Sequence, residues 1–297
     1  MNFIERQYID TDKWDKLVSS TEGSSIFSMS YYLDVVSENW CILVDEEYTR
    51  GMAIPYFKRL GFRCCYTPIF VRYLEWFGLP MDDQRFMVLI KNNFRRGQFN
   101  SKQKIRAKKL RRKVFQIIPA VLESDGNTQA KRMLNKFGKS TLELIWGDDI
   151  AMIMQQIKKE LPQKVHSLNR ASLDRLGALV VVLQEKKVLQ MLTVKENGRG
   201  VGGIFIVEFN GSLLYLKGAM NKNTKDMGGM YAAMQEAIDL AQSQQLNFDF
   251  GGSNAEGVKR FNTNLGGQDS KYYSISWDNL PIWLQAIMKI RGLWKKE

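Results

Sequence analysis

The stretch that most restricts this chain runs from Leu246 to Gly267 and reads L-N-F-D-F-G-G-S-N-A-E-G-V-K-R-F-N-T-N-L-G-G. Phe248, Asp249 and Phe250 predict a short apolar strand carrying one acid, and Gly251-Gly252 end it abruptly. Paired glycines let a backbone turn sharply or come close to a ligand. Upstream, Gly211-Ser212 separates two strand-like runs, Gly203–Phe209 and Leu213–Gly218. A polar loop follows, Asn221–Gly229, and then an apolar-periodic helix, Met230–Gln242. The order is strand, strand, phosphate-sized loop, helix, strand, glycine pair, with Gly266-Gly267 closing the unit. A strand and turn inside an ordinary α/β core accounts for the same local features.

Length allows two domains or one large one, since the chain has 297 residues. Apolar content of 44% and aromatic content of 11% place it among folded proteins. His166 is the only histidine, so metal sites built on several histidines are excluded, and no Ser-His or Cys-His signature surrounds it. Cys41 and the adjacent Cys64-Cys65 give neither a disulfide framework nor zinc spacing, which reads as a reduced, cytoplasmic protein. Charges throughout Met1–Lys16 leave no apolar run for a secretory signal, and no stretch has the apolar length of a spanning helix.

The first half opens with a strand (Phe3–Ile9), a helix capped by Asp10-Thr11-Asp12, and a second helix through Tyr31, Tyr32, Leu33 and Val36. Strands over Trp40–Val44 and Gly51–Phe57 follow, then a helix capped by Asp82-Asp83. From Lys91 to Lys113 there are eleven bases and no acid, and removing them from the chain's +12 leaves +1. Such a run is either a solvated face or an anion site for nucleic acid, a phosphorylated donor or an anionic membrane. Further on come a helix (Thr128–Lys139), a strand (Thr141–Trp146), and a boundary between halves at Gly147. A helix capped by Asp148-Asp149 runs to Pro162, and another starts at Ser167–Arg170 and fades near Gly177. Leu179–Leu183 fits a buried strand or a buried helix end. Lys187–Val194 and Gly202–Phe209 read as strands. In the tail, residues 280–297, Trp283, Ile287, Ile290 and Trp294 recur at helical spacing beside Lys289, Arg291, Lys295 and Lys296. That pattern suits packing on the protein or contact with a membrane surface.

Over Gly202–Trp277 the chain resembles the FemABX-type aminoacyltransferases, whose two halves are each a GNAT (N-acetyltransferase) fold. The words that carry the resemblance are Y-L-K-G-A, the helix ending in E-A-I-D-L-A, F-D-F-G-G, and G-V-K-R-F-N-T-N-L-G-G. It implies an α/β (α+β) protein of two tandem GNAT-like domains, each a mixed, mostly antiparallel central sheet flanked by helices. The expected domains are 1–146, which holds the basic segment 91–113, and 147–279, followed by the tail. The implied activity is transfer of an acyl or aminoacyl group from acyl-CoA or aminoacyl-tRNA to an amine, on a peptidoglycan or other envelope precursor, at the inner face of the membrane. No tightly bound cofactor is expected.

The resemblance also distributes roles. The donor's phosphates fall on Lys225, Met227, Gly228, Gly229 and Met230, at a loop opening onto a helix N-terminus, and beside Gly251 and Gly252. In the family's acyl-CoA loop the positions of Lys225 and Met230 are usually Gln or Arg and Gly or Ala, so only Gly228 matches. Asp249 is the leading acid, either as a desolvated base for the acceptor amine or as an acceptor for backbone N–H groups at the glycine turn. Glu236 and Glu256 are its rivals, and Tyr272 or Tyr273 could protonate a leaving group. Arg260 and Phe261 fit the family motif. Asn262 stands where Fem-type enzymes carry a lysine, so it offers a developing oxyanion a hydrogen bond but no charge. A rival from another class is a non-catalytic protein that binds nucleic acid or another polyanion through residues 91–113.

Overall fold

The computed structural model describes residues 1–121, 126–147, 149–160, 169–252, 255–283 and 285. Two compact units divide the chain: Met1–Lys113 with Lys271–Glu297, and Val114–Ser270. The first contains β1 (Asn2–Glu5), α1 (Thr11–Ser20), α2 (Ser30–Val36), β2 (Asn39–Val44), β3 (Gly51–Arg59), β4 (Phe62–Tyr66), β5 (Trp76–Phe77), α3 (Asp83–Asn93) and β6 (Arg96–Ser101). The second contains most of β7 (Leu110–Ile118), then α4 (Thr128–Gly138), β8 (Leu142–Trp146), α5 (Ile150–Glu160), α6 (Arg170–Glu185), β9 (Leu189–Glu196), β10 (Arg199–Phe209), β11 (Ser212–Met220), α7 (Lys222–Asp226), α8 (Gly229–Ser243), β12 (Asn247–Asp249) and α9 (Glu256–Asn264). The last strand, β13 (Gln268–Asp278), takes the chain back to the first unit.

The two units are built on one ladder. In the first, β1, β2, β3 and β4 pair antiparallel in order, β4 pairs parallel with β6, and β6 pairs antiparallel with β13. In the second, β8, β9, β10 and β11 pair antiparallel in order, β11 pairs parallel with β12, and β12 pairs antiparallel with β7. Helices follow the first strand in both, and the strand that joins in parallel comes directly after a helix, α3 in the first and α8 in the second. The fold is therefore α/β, with mostly antiparallel sheet flanked by helices, as the resemblance implies.

The division falls at Lys113/Val114 instead of at Gly147. Each unit takes its last strand from the other half of the sequence, β13 for the first and β7 for the second, so no single cut at a turn separates them. The basic run contributes residues to β6 and to the start of β7.

Local chemistry accounts for the elements. Asp10 accepts from the Lys13 N–H at 3.1 Å and Asp82 from the Arg85 N–H at 2.9 Å, capping α1 and α3. The helix expected to fade near Gly177 continues to Glu185, because Leu173, Leu176, Leu179, Val180 and Leu183 recur on one buried stripe. The expected loop Asn221–Gly229 contains α7, because the Asn221 side chain accepts from the Thr224 N–H at 2.8 Å. The core of the second unit gathers Ile204, Ile206, Leu213, Met220, Phe248 and Phe250 against Ala233, Met234, Ala237 and Ile238 of α8. Cys41, Cys64 and Cys65 are free and buried. Most of the tail and His166 lie outside the described residues; Ile282 and Trp283 are exposed. Among the described residues no helix is long and apolar enough to cross a membrane.

Candidate functional site

The candidate site is where the parallel pair of the second unit comes apart. β12 lies beside β11 for three residues, Ser212↔Asn247, Leu213↔Phe248 and Leu214↔Asp249, and beside β7 through Phe248↔Ile118 and Asp249↔Ile117. It then stops, while β11 runs on to Met220. Gly251 and Gly252 both have φ in the left-handed region, 77° and 79°. A Cβ on Gly251 would fall onto the Tyr215 carbonyl oxygen. The glycine pair thus lets the backbone swing away from β11 at a spacing that no side chain allows.

Asp249 is half-buried at that point, and its carboxylate accepts from the Gly251 N–H at 2.9 Å. This is the backbone-acceptor role foreseen for it, and it also holds the carboxylate at the strand end. Of the rival acids, Glu236 accepts from the Trp146 indole N–H at 3.1 Å and Glu256 is exposed.

Beyond β11, the chain enters α8 through Gly228, which has φ 90°. A Cβ there would fall onto the Met133 carbonyl oxygen of α4, with Phe137 Cβ at 3.3 Å. Among the described residues no side chain caps α8, so its first-turn N–H groups carry no side-chain acceptor. The other loop residues point to structure. Lys225 pairs with Glu160 at 3.5 Å, and Met227 and Met230 pack partly buried against the core. Gly229 lies so close to Thr224 that a Cβ would stand 2.7 Å from its methyl group.

The G-V-K-R-F-N-T-N word lies on α9, and its polar residues make a network inside the unit. Asn262 is buried, 2% exposed, and its Nδ2 donates to Gln116 Oε1 at 3.0 Å. Gln116 donates in turn to Asp269 Oδ1 at 2.9 Å, and Lys259 Nζ stands 2.6 Å from Asp269 Oδ2. Asn262 therefore locks α9 to β7. Phe261 sets its ring edge-on to Tyr231, centroids 4.6 Å apart, and Arg260 is exposed. The structure gathers Asp249, Gly251 and Gly252 at the strand end, places Gly228 and Gly229 at the entrance to α8, and commits Asn262 and Lys259 to the network. Tyr272 and Tyr273 belong to the first unit.

Lys217, inside the Y-L-K-G-A word, is not marked by periodicity or motif as a site residue. Lys217 sits at a register shift of β11 opposite Phe205–Ile206. Desolvation lowers its pKa. Burial pushes the neighbouring Tyr215 hydroxyl up, offset in part by the Gly218 N–H. The available signal was a lone charge in the apolar run Leu213–Gly218.

The basic run divides by exposure. Arg96 pairs with Asp278 at 3.8 Å and its pKa is lowered by desolvation; Lys102 Nζ stands 2.6 Å from the buried Glu75 carboxylate; Lys113 reaches Asn100 Oδ1 at 3.4 Å. Arg95, Lys104, Arg106, Lys108, Lys109, Arg111 and Arg112 are exposed. Among the described residues no cluster of His, Cys, Asp and Glu could hold a metal ion.

Comparison with known proteins agrees on the fold. The structure of FemX superposes with a TM-score of 0.65 at 11% identity, covering 98% of this chain and 99% of that one. L-PGS from Bacillus licheniformis gives 0.58 at 11%, covering 97% and 98%. An acetyltransferase of the GNAT family from Colwellia psychrerythraea gives 0.56 at 7%, covering 94% and 100%. No family model matches the chain, and no curated protein matches its sequence. The fold is FemABX/GNAT-like.

Proposed function

We propose that the second unit transfers an acyl or aminoacyl group from an activated donor, acyl-CoA or aminoacyl-tRNA, to an amine acceptor such as a cell-envelope precursor. The observation that carries this reading is the parting of β11 from β12 at Leu214/Asp249, in the unit whose α8 is entered through glycine. The fold shared with FemX and with a GNAT acetyltransferase supports it.

In this reaction the acceptor amine attacks the thioester or ester carbonyl, a tetrahedral oxyanion forms, and the thiol or hydroxyl leaves with a proton. First-turn N–H groups of α8, at Gly229 and Met230, face the donor's phosphates. Gly251 and Gly252 let the donor lie against backbone. Asp249, held by the Gly251 N–H, receives the proton of the attacking amine. Arg260, exposed on α9, and the Phe261 ring meet the acceptor or the donor's charged end.

The first unit provides the acceptor surface, and its exposed bases hold an anionic partner: RNA, a phosphorylated donor or the inner face of a membrane. Those seven exposed bases also support the rival reading of a polyanion-binding protein without turnover. The two are separated by mass spectrometry of ligand retained by the purified protein, followed by exchange with labelled acetyl-CoA and with aminoacyl-tRNA. Donor consumption that requires an added amine supports transfer. Binding that collapses with salt and consumes no donor supports the rival.

A further inference from the structure

Lys217 has no role in the chemistry described so far, and its placement is unusual. Ile204 and Ile206 of β10 point into the core shared with α8. Phe205, between them, therefore points to the opposite face, as does Gly203, where a Cβ would stand 2.7 Å from Ile153 of α5. Lys217 is in register with Phe205, so it rises from that same face. It comes just past the register shift, two residues beyond Tyr215, whose carbonyl abuts Gly251. Two residues of extended chain span about 7 Å, within reach of a lysine side chain. The ammonium thus stems from the part of β11 that β12 no longer accompanies.

Among the described residues of the unit, the other cations considered for this role are already committed or exposed. Lys259 is engaged by Asp269, Lys225 by Glu160, and Arg260 is exposed on α9. Lys217 is half-buried, and among the described residues it makes no hydrogen bond or ion pair. The methylene stem packs on the apolar strand face without penalty, but holding the ammonium partly out of water costs free energy that no partner among the described residues returns. The charged groups brought by α5, which packs across β10 and β11, are Lys158, Lys159 and Glu160 in its last turn, and Glu160 is the one already paired with Lys225. The remaining titratable neighbour on the strand is Tyr215, which burial keeps protonated.

We propose that Lys217 is the anion-binding cation of this site, which meets the carbonyl oxygen of the donor as it becomes an oxyanion. The assignment rests on the reading of the second unit as a transfer site. It also explains how a chain with asparagine at position 262 carries a positive charge at its reaction centre. Desolvation poises the lysine for this: bringing an anion beside it restores the solvation that burial removes, so the complex gains more than an exposed lysine would give.

The test uses the whole protein with its lysines dimethylated by ¹³C-formaldehyde, the Lys217 resonance being the one missing from Lys217→Met. Titration with sodium pyrophosphate and with acetyl-CoA is expected to move that resonance saturably and raise its pKa. In thermal melts Lys217→Met is expected to match or exceed the parent, because it removes a desolvated charge. With any donor the parent consumes, Lys217→Met should lower kcat by about 100-fold with KM little changed, and Lys217→Arg should recover part of it. A Lys217 resonance unmoved by both anions, or a parent kcat in Lys217→Met, overturns the assignment. A saturable shift without transfer from either donor class keeps Lys217 as an anion site and instead removes the transferase reading.

Discussion

The parallel junctions of the two units answer the same backbone problem in opposite ways. In the first, β4 meets β6 through Cys64↔Arg96, Cys65↔Gly97 and Tyr66↔Gln98, and the junction is packed shut. The Trp277 ring lies over Gly97 so closely that a Cβ there would fall into it, with the Cys65 sulfur also in contact. Phe99 meets the same indole edge-on at 6.0 Å, and the indole N–H donates to the Phe94 carbonyl at 2.9 Å. In the second, the junction is followed by two glycines in left-handed backbone, a carboxylate and a desolvated lysine. One ladder can be filled with aromatic packing or left polar, and the side chains within a few residues of the parallel pair decide which.

Four substitutions sharpen that contrast. The largest expected effect is Gly228→Val, because φ 90° disfavours a β-branched residue and the Cβ would strike the Met133 carbonyl. Destabilisation of about 3 kcal/mol or more should appear in denaturant melts. From the sequence, Gly228 stood as a ligand-contact glycine; its geometry makes it a packing glycine as well. Next comes Glu75→Gln in the first unit. Glu75 is 2% exposed and accepts from Ser25 through both N–H and hydroxyl, and from Lys102 at 2.6 Å. Breaking this pair should cost about 3 kcal/mol, the low end for a buried pair, since Lys102 keeps contact with solvent. A loss below about 1 kcal/mol would show that the first unit does not depend on its buried polar contacts.

Asn262→Ala should cost about 1–3 kcal/mol by leaving the Gln116 carbonyl unpaired. Its catalytic effect should follow stability alone and vanish at a temperature where the variant is fully folded. The smallest effect on folding belongs to Arg260→Ala, within about 0.5 kcal/mol, because the side chain is exposed. Any loss of transfer it causes would then be a contact with substrate. If Asn262→Ala lowers kcat while fully folded and Arg260→Ala does not, the division between network and site residues is wrong.

Much of this was readable in the residues. The hairpin Gly203–Gly218, the strand before Gly251-Gly252 and the helix after Gly229 follow from periodicity and turn residues, which act over a few positions. The exchange of β7 and β13 was not readable, because pairing across 130 residues or more leaves no local mark. The basic charge of 91–113 masked the strand at Leu110–Ile118, whose residues Phe115, Gln116 and Ile118 are buried. Asn262 read as an altered catalytic position because its partner, Gln116, lies 146 residues away. Lys217 escaped notice because its one local signal, a lone charge in the apolar run Leu213–Gly218, is shared by lysines at exposed strand edges.

The central claim is that the polar junction of the second unit, not the filled junction of the first, receives the donor. Hydrogen–deuterium exchange of the whole protein, with and without acetyl-CoA or aminoacyl-tRNA, compares the two directly. The account predicts new protection over Tyr215–Met220, Gly228–Tyr231 and Phe250–Gly252, with Cys64–Tyr66 and Arg96–Ser101 unchanged. Protection confined to the first junction, with the second unaffected by either donor, would contradict it.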